Sequence, residues 1–223
     1  MGLILNGINA REDFNNAVAI FEATFPNRNV VDEFHLTQSE IRLELPLTAN
    51  NTLYQFNLLD NQPGAGGQIF NTELRLRMQD TFVPTHFGVQ LALPTSSTDA
   101  TYRLNSYPNQ FVFANAIQMR ALYNGQLKIM TNNYQYLYSW GLQRHWCSNQ
   151  TQQTAAFGAG SPEDQNNFSV DTMFPMQPYV MFGGSQNTQI SITLSAAPTA
   201  VDANSRYVLR FYGVLAQNST PTS

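Results

Sequence analysis

The stretch "IRLELPLTANNTLYQFNLL", from Ile41 to Leu59, decides the fold class of this 223-residue chain. Its apolar side chains recur at every second position on either side of two adjacent asparagines: Ile41, Leu43, Leu45, Leu47, Tyr54, Phe56 and Leu58. A period of two places such residues on one face of a β-strand. Asn50 and Asn51 are typical turn residues. The stretch therefore predicts two half-buried strands joined by a turn.

The same alternation returns along the rest of the chain. It appears at Thr72–Met78, Phe87–Leu93, Phe111–Phe113, Ile190–Leu194 and Tyr207–Gly213. Turn signals such as "NQPGAGGQ" and "PTSSTDA" separate these segments. About eight short strands at this spacing predict a mainly β protein, an antiparallel β-sandwich of jelly-roll type.

One segment near the N-terminus has helical periodicity instead. Asn9 can cap it, Glu12 follows three residues later, and Pro26 ends it. Its apolar residues recur at spacings of three and four: Ala10, Phe14, Ala17, Val18, Phe21 and Phe25. The pattern predicts an amphipathic helix whose apolar face packs either on its own domain or on a neighbouring subunit.

These signals divide the chain into three parts. Residues 1–40 form an N-terminal helical segment, 41–217 a β-sandwich domain, and 218–223 a flexible tail. Residues 148–168 are small and polar, which predicts a long loop inside the domain. The phenylalanines Phe14, Phe21 and Phe25 are candidate interface residues.

Composition excludes several function classes. Charged residues make up 12% of the chain, against about 25% in typical domains. The difference is supplied by Asn and Gln. A net charge of -4 argues against direct nucleic-acid binding, which depends on Lys and Arg. No apolar run reaches the length of a membrane span, no signal-peptide core is evident, and one cysteine permits no internal disulfide. We expect synthesis in a reducing cytoplasm.

The run "YNGQLKIMTNNYQYLYSWGLQRHWCSNQTQ", from Tyr123 to Gln152, concentrates the aromatic residues. Asn124-Gly125 predicts a hairpin with a type I′ turn. Three tyrosines then share one face of the next strand, and they could form a core lid, a subunit contact or a sugar-binding platform. The candidate interface residues here are Tyr134, Tyr136, Tyr138, Trp140 and Arg144. A glycan would use the face of Tyr134, Tyr136 and Trp140.

No motif for catalysis or metal binding stands out. His145 and Cys147 share a strand face but have no third group to orient them, as nucleophilic catalysis requires. His35 and His86 are isolated, and no zinc-ligand spacing occurs. The glycine-rich segment 63–68 lacks the lysine and helix of a phosphate-binding loop. We therefore expect a protein that is not an enzyme and that holds no cofactor and no metal.

Several segments together resemble a known group of proteins. They are "FNTELRLRMQDTFVPTHFGVQLAL" (Phe70–Leu93), "YPNQFVF" (Tyr107–Phe113), "ALYNGQLKIMTNN" (Ala121–Asn133), "WGLQRHW" (Trp140–Trp146) and "ANSRYVLRFYGVLAQN" (Ala203–Asn218). In their residues and in their order along the chain they resemble virion structural proteins of tailed phages that infect Bacteroidetes, including crAss-like phages. The likeness covers most of the chain after residue 40.

The resemblance implies a capsid or auxiliary capsid protein that assembles with copies of itself and with other virion proteins. It implies a location in the virion after synthesis in the host bacterial cytoplasm. The alternative is a carbohydrate- or receptor-binding module of a phage fibre.

Overall fold

The computed structural model describes residues 10–59, 73–94, 102–105, 125–140, 173–184, 186, 188–198 and 206–218. The predicted long loop at 148–168, the strand at Phe111–Phe113, Arg144, Cys147 and the tail after Asn218 lie outside these ranges. Within them the protein is mainly antiparallel β, which confirms that part of the expected fold class.

In these ranges two helices precede ten strands. The helices are α1 (Ala10–Thr24) and α2 (Val30–Glu33). The strands are β1 (Phe34–Pro46), β2 (Leu53–Phe56), β3 (Thr81–Pro94), β4 (Tyr102–Asn105), β5 (Gly125–Thr131), β6 (Tyr134–Trp140), β7 (Phe174–Pro175), β8 (Phe182–Gly183), β9 (Gln189–Leu194) and β10 (Arg206–Asn218).

The strands form two antiparallel sheets. Sheet A has the order β1-β10-β3-β4, and the short strands β7 and β8 also pair with β3. Sheet B has the order β2-β9-β5-β6. The alternation of apolar residues in the sequence gives each of these strands one apolar face. The facing sides of the two sheets share one core, as in a β-sandwich.

That core is lined by the alternating residues of both sheets. Leu43 and Leu209 enter it from sheet A, and Leu127, Ile129 and Ile192 enter it from sheet B; each is at most 1% exposed. Its aromatic contacts include the rings of Tyr54 and Tyr207, stacked with centroids 5.3 Å apart. Aromatic pairs in this range stabilise a core beyond the area that they bury.

A second apolar cluster lies on the opposite face of sheet A. There α1 packs on residues that point away from the sandwich core, among them Val83, Val214 and Ala216. Sheet A is therefore covered on both faces where β1, β10 and β3 meet the helix.

The chain makes a β-bulge beneath this helix. The register of β3 and β10 shifts between Tyr212 and Gly213, which leaves Thr85 as the extra residue on β3. A Cβ atom on Gly213 would lie 2.1 Å from the Val83 carbonyl oxygen, so only glycine fits this close approach.

Two sequence predictions about the strands are corrected. The segment Thr72–Met78 is not a strand in its described part: Leu74 forms an isolated bridge with Arg42 of sheet A, and Leu76 one with Leu59. The segment thus passes from the side of β1 to the end of β2. Because it pairs with a different neighbour at each bridge, it does not form a regular strand. Strand β1 begins at Phe34 rather than Ile41, because pairing with β10 extends beyond the apolar alternation to Asn218.

Candidate assembly interface

The edge strand β6 is formed by a hairpin with β5. The two strands are joined by Asn132 and Asn133, whose φ angles are 48° and 67°. Positive φ at both positions is the signature of a type I′ turn, which asparagine tolerates. The turn predicted at Asn124-Gly125 is a different one, before β5: Asn124 lies outside the described residues, and Gly125 is the first residue of β5 and pairs with Trp140. The side chains of Leu127 and Ile129 are fully buried in the core, so the inward face of β5 was predicted correctly.

The three tyrosines of β6 differ in burial, which decreases from Tyr138 to Tyr134. Tyr138 is 5% exposed, and its hydroxyl donates a 2.6 Å hydrogen bond to the carbonyl oxygen of Pro178. Burial raises the pKa of the Tyr138 phenol far above its ordinary value. Tyr136 is half-buried against the same core, while Tyr134 is 69% exposed. The Tyr138 and Tyr136 side chains therefore serve the core, and Tyr134 is the tyrosine of this stripe that is available to a partner.

The two other candidate residues of this stretch are placed less fully. Trp140 is the last residue of β6 and pairs through its backbone with Gly125. Its side chain, like all of Arg144, lies outside the described part. The structure thus brings Tyr134, Tyr136, Tyr138 and Trp140 onto one strand.

The outward face of β6 is neutral. Leu137 is 49% exposed, and Gln135 and Ser139 beside it are exposed. On the neighbouring strand β5 the outward residues include Lys128 and Met130, which pair with Leu137 and Gln135. Lys128 is half-buried. Leu137 was not among the predicted site residues. It lies between Tyr136 and Tyr138 and therefore points to the opposite face of the strand from the tyrosines.

Within the described residues, the free side of β6 lacks the usual protections of an edge strand. In the described ranges β6 pairs with β5 alone, and that register runs unbroken from Thr131↔Tyr134 to Gly125↔Trp140. Edge strands usually carry a proline, an inward charge or a bulge that blocks further pairing. The sequence YQYLYSW contains no proline and no charge. Among the described strands, therefore, none occupies this edge, and its sequence permits pairing with another strand.

The phenylalanines of α1 contact sheet A of their own chain. Phe21 is fully buried, and Phe14 and Phe25 are partly buried around the same cluster. The Phe25 ring lies 5.4 Å from that of Phe34, centroid to centroid. Of the two partners predicted for this apolar face, the structure places the helix on its own domain.

Polar contacts also hold α1 in place. The Tyr179 hydroxyl donates to Asp13 at 3.1 Å and accepts from the Asn16 amide at 3.3 Å. His86 Nδ1 lies 3.9 Å from the Asp13 carboxylate. Partial burial is the main cause that raises the pKa of Tyr179, and the Asp13 charge adds to it. The helix is thus fixed by directional bonds as well as by apolar burial.

A buried charged network lies on the outer face of sheet A. The Glu44 side chain is fully buried and forms ion pairs with Arg42 and Arg206. The Glu44 backbone N–H donates to Glu73, which in turn pairs with Arg75 at 2.8 Å. A half-buried strand was predicted here, and its polar face would be exposed. Glu44 lies on that face of β1 and is nevertheless buried, since β1 is covered on both faces there.

A groove of about 580 Å³ opens at the end of β2. Amide and hydroxyl side chains form much of its wall, and Phe56, Leu58 and Ile190 contribute apolar surface: the polar lining residues are Gln55, Asn57, Gln186, Thr188 and Gln189. No charged side chain lines it among the described residues. Such a surface can exchange hydrogen bonds with a neutral polar ligand.

Within the described ranges no three His, Cys, Asp or Glu side chains lie close enough together to hold a metal ion. Neither of the described helices has the length and hydropathy to cross a bilayer. Comparisons with protein-family models, with curated proteins and with solved structures find no match to this chain.

Proposed function

We propose that this chain is a structural component of a phage virion, a capsid or auxiliary capsid protein built on a jelly roll and acting by symmetric self-association. The observation that carries the proposal is the nested pairing of the strands. Strand β1 pairs with β10, β2 with β9, β3 with β7 and β8, and β5 with β6.

Nested pairing is the result of folding one long hairpin over on itself. The outermost strands pair with each other, then the next pair inward, until a tight hairpin closes the series. With β4 as an addition to β3, this order supports a jelly roll of two four-stranded layers. Jelly rolls are common in viral capsid proteins and lectins. The sequence resemblance to phage virion proteins favours the first of these.

The chemistry of the surface supports assembly. Many identical copies in a symmetric shell each need only modest contacts, because symmetry repeats them. Exposed amides and hydroxyls are buried at lower cost than charges. Sheet B offers such a surface around Leu137, with one lysine on its central strand β5.

The test is the presence of the chain in purified particles. Particles of a phage whose genome encodes this chain are banded on a density gradient, and the chain is quantified by mass spectrometry against the other virion proteins. We expect many copies per particle that stay bound through a second gradient. A chain found in the infected-cell lysate but absent from the banded particles would contradict the proposal.

The groove at the end of β2 favours a second candidate, a carbohydrate- or receptor-binding module of a phage fibre. Its amide lining suits a neutral oligosaccharide better than the tyrosine stripe does, since Tyr136 and Tyr138 face the core. Glycan-array binding that is lost in Gln189→Ala and kept in Gln126→Ala, an exposed control on β5, would establish this alternative. Absence of binding to every glycan of the array would count against it.

A further inference from the structure

The backbone groups on the open side of β6 can be identified from the hairpin. In a two-residue hairpin the residues that flank the turn, here Thr131 and Tyr134, exchange their backbone hydrogen bonds. Bonding then alternates along the strand, so Tyr136 and Tyr138 also point their N–H and C=O groups toward β5. The N–H and C=O groups of Gln135, Leu137 and Ser139 point away from it.

The sequence of β6 has the same pattern in both directions. Leu137 is at the centre, and the residues at equal distances on its two sides match in kind. Tyrosines flank it directly, polar residues come next, and aromatic residues stand at the ends, as the sequence YQYLYSW shows. A strand of this kind is complementary to a second copy of itself that runs in the opposite direction.

We propose that β6 pairs antiparallel with β6 of a second copy of this chain, about a twofold axis that passes beside Leu137. This inference rests on the proposed self-association and specifies its contact. Leu137 faces Leu137 of the other copy, and Gln135 faces Ser139. All the outward N–H and C=O groups of these three residues are then hydrogen-bonded. The four-stranded sheet B continues from one copy into the next.

Other registers satisfy fewer groups. Moving the twofold axis to Tyr136 or Tyr138 places one of the three outward residues opposite the turn or beyond the strand end. The axis at Leu137 also brings apolar Leu137 against its own copy on the exposed face. This register therefore combines the largest number of hydrogen bonds with the best match of side chains.

Charge does not oppose the contact. The strand itself carries none, and Lys128 is one strand away from the edge. Across the twofold axis the two copies of Lys128 are separated by three strand spacings, about 14 Å. This exceeds the Debye length of about 8 Å at physiological ionic strength, so their repulsion is screened.

The first experiment weakens the contact with a charge. In Leu137→Lys two lysines would face each other directly across the axis, whereas Leu137 is exposed in the single copy and tolerates lysine there. The matched control is Leu53→Lys, because Leu53 is 47% exposed on β2, the other edge of the same sheet. Folding is checked by circular dichroism and association by sedimentation over a concentration series.

We expect reversible dimers of the wild-type chain, association at least tenfold weaker in Leu137→Lys, and a change below about twofold in Leu53→Lys. An equimolar mixture of Leu137→Lys and Leu137→Glu should recover the association. A wild-type chain that stays monomeric, or a Leu137→Lys variant that dimerises normally, would overturn the proposal.

The second experiment tests the register and does not depend on the lysine variant. In a Cys147→Ser background, Leu137→Cys places two thiols in a hydrogen-bonded pair with Cα atoms about 5.5 Å apart, within disulfide range. Gln135→Cys places its two copies about 14 Å apart along the strands. We expect mild oxidation to link the first variant into covalent dimers and to leave the second unlinked.

Equal linking of both variants, or linking of Gln135→Cys alone, would refute the register. These results are separate from the particle experiment. A chain that is abundant in purified virions but does not link through Leu137→Cys keeps the proposed function and loses this contact. A chain that links through Leu137→Cys but is absent from virions has the contact without the proposed function.

Discussion

The substitution Phe21→Ala tests whether α1 is an integral part of the domain. Phe21 is fully buried between the helix and sheet A, beside Val83, Val214 and Ala216. Removing its ring loses the transfer free energy of the side chain and leaves a cavity that packed sheet residues cannot fill. Such substitutions cost about 3–5 kcal/mol. For a chain of this length that is a fall of about 10 °C in Tm.

The free energy of unfolding would be measured by urea denaturation, followed by circular dichroism. The control is Glu22→Ala, because Glu22 is the next residue of α1 and is exposed. We expect the control to stay within about 0.5 kcal/mol of the wild type. Sedimentation of both variants reports whether the oligomeric state changes.

A loss below about 1 kcal/mol in Phe21→Ala would refute the reasoning, since a fully buried phenylalanine cannot be removed at that cost. A variant that keeps its stability but loses its association would show that the helix docks on a neighbouring subunit. Deletion of residues 1–30 gives the same distinction more coarsely, because it uncovers the apolar outer face of sheet A.

Three further predictions follow from single sites. Gly213→Ala should cost about 2 kcal/mol or more, because its Cβ would meet the Val83 carbonyl oxygen at 2.1 Å; Gly183→Ala, whose Cβ meets only a flexible glutamine side chain at 3.0 Å, should cost much less in the same urea assay. Burial raises the folded-state pKa of Tyr138 above its unfolded value of about 10, so the contribution of this group to stability is constant below pH 10 and falls as the pH rises beyond it, by up to about 1.4 kcal/mol per pH unit. In Tyr138→Phe that alkaline fall should be shallower, and an unchanged slope would contradict the assignment. Chelation with EDTA and Cys147→Ser should each change stability by less than about 1 kcal/mol, and a large loss on chelation would reveal a metal that the sequence motifs do not predict.

The sequence predicted the inward faces of the strands well, because burial follows a simple period of two. Leu127, Ile129, Ile190 and Ile192 all lie in the core, as the alternation indicated. The same reasoning failed for Glu44, since alternation identifies the apolar face but does not reveal that the polar face is also covered. Coverage depends on which segments cross the sheet, and sequence periodicity carries no information about that.

The candidate site shows a related limit. Periodicity placed the β6 tyrosines on one face, but it could not tell whether that face points to the core or to a partner. The answer depends on the depth of each residue along the strand, and so Tyr138 is buried while Tyr134 is exposed. The turn at Asn132-Asn133 was not predicted, because Asn-Asn is a weaker local hairpin signal than Asn-Gly.

The position of β10 has a consequence for how the protein is made. This strand lies between β1 and β3 and pairs with both, so Phe34 meets Asn218 across almost the whole chain. During translation sheet A lacks its central strand until residues 206–218 leave the ribosome. Folds dominated by contacts so distant in sequence form slowly, and their incomplete chains expose apolar surface. A ribosome that stalls before β10 would release a chain in which β1 and β3 have no strand between them and sheet B has no complete sheet to pack on, so we expect truncated chains to be recovered with chaperones or in aggregates.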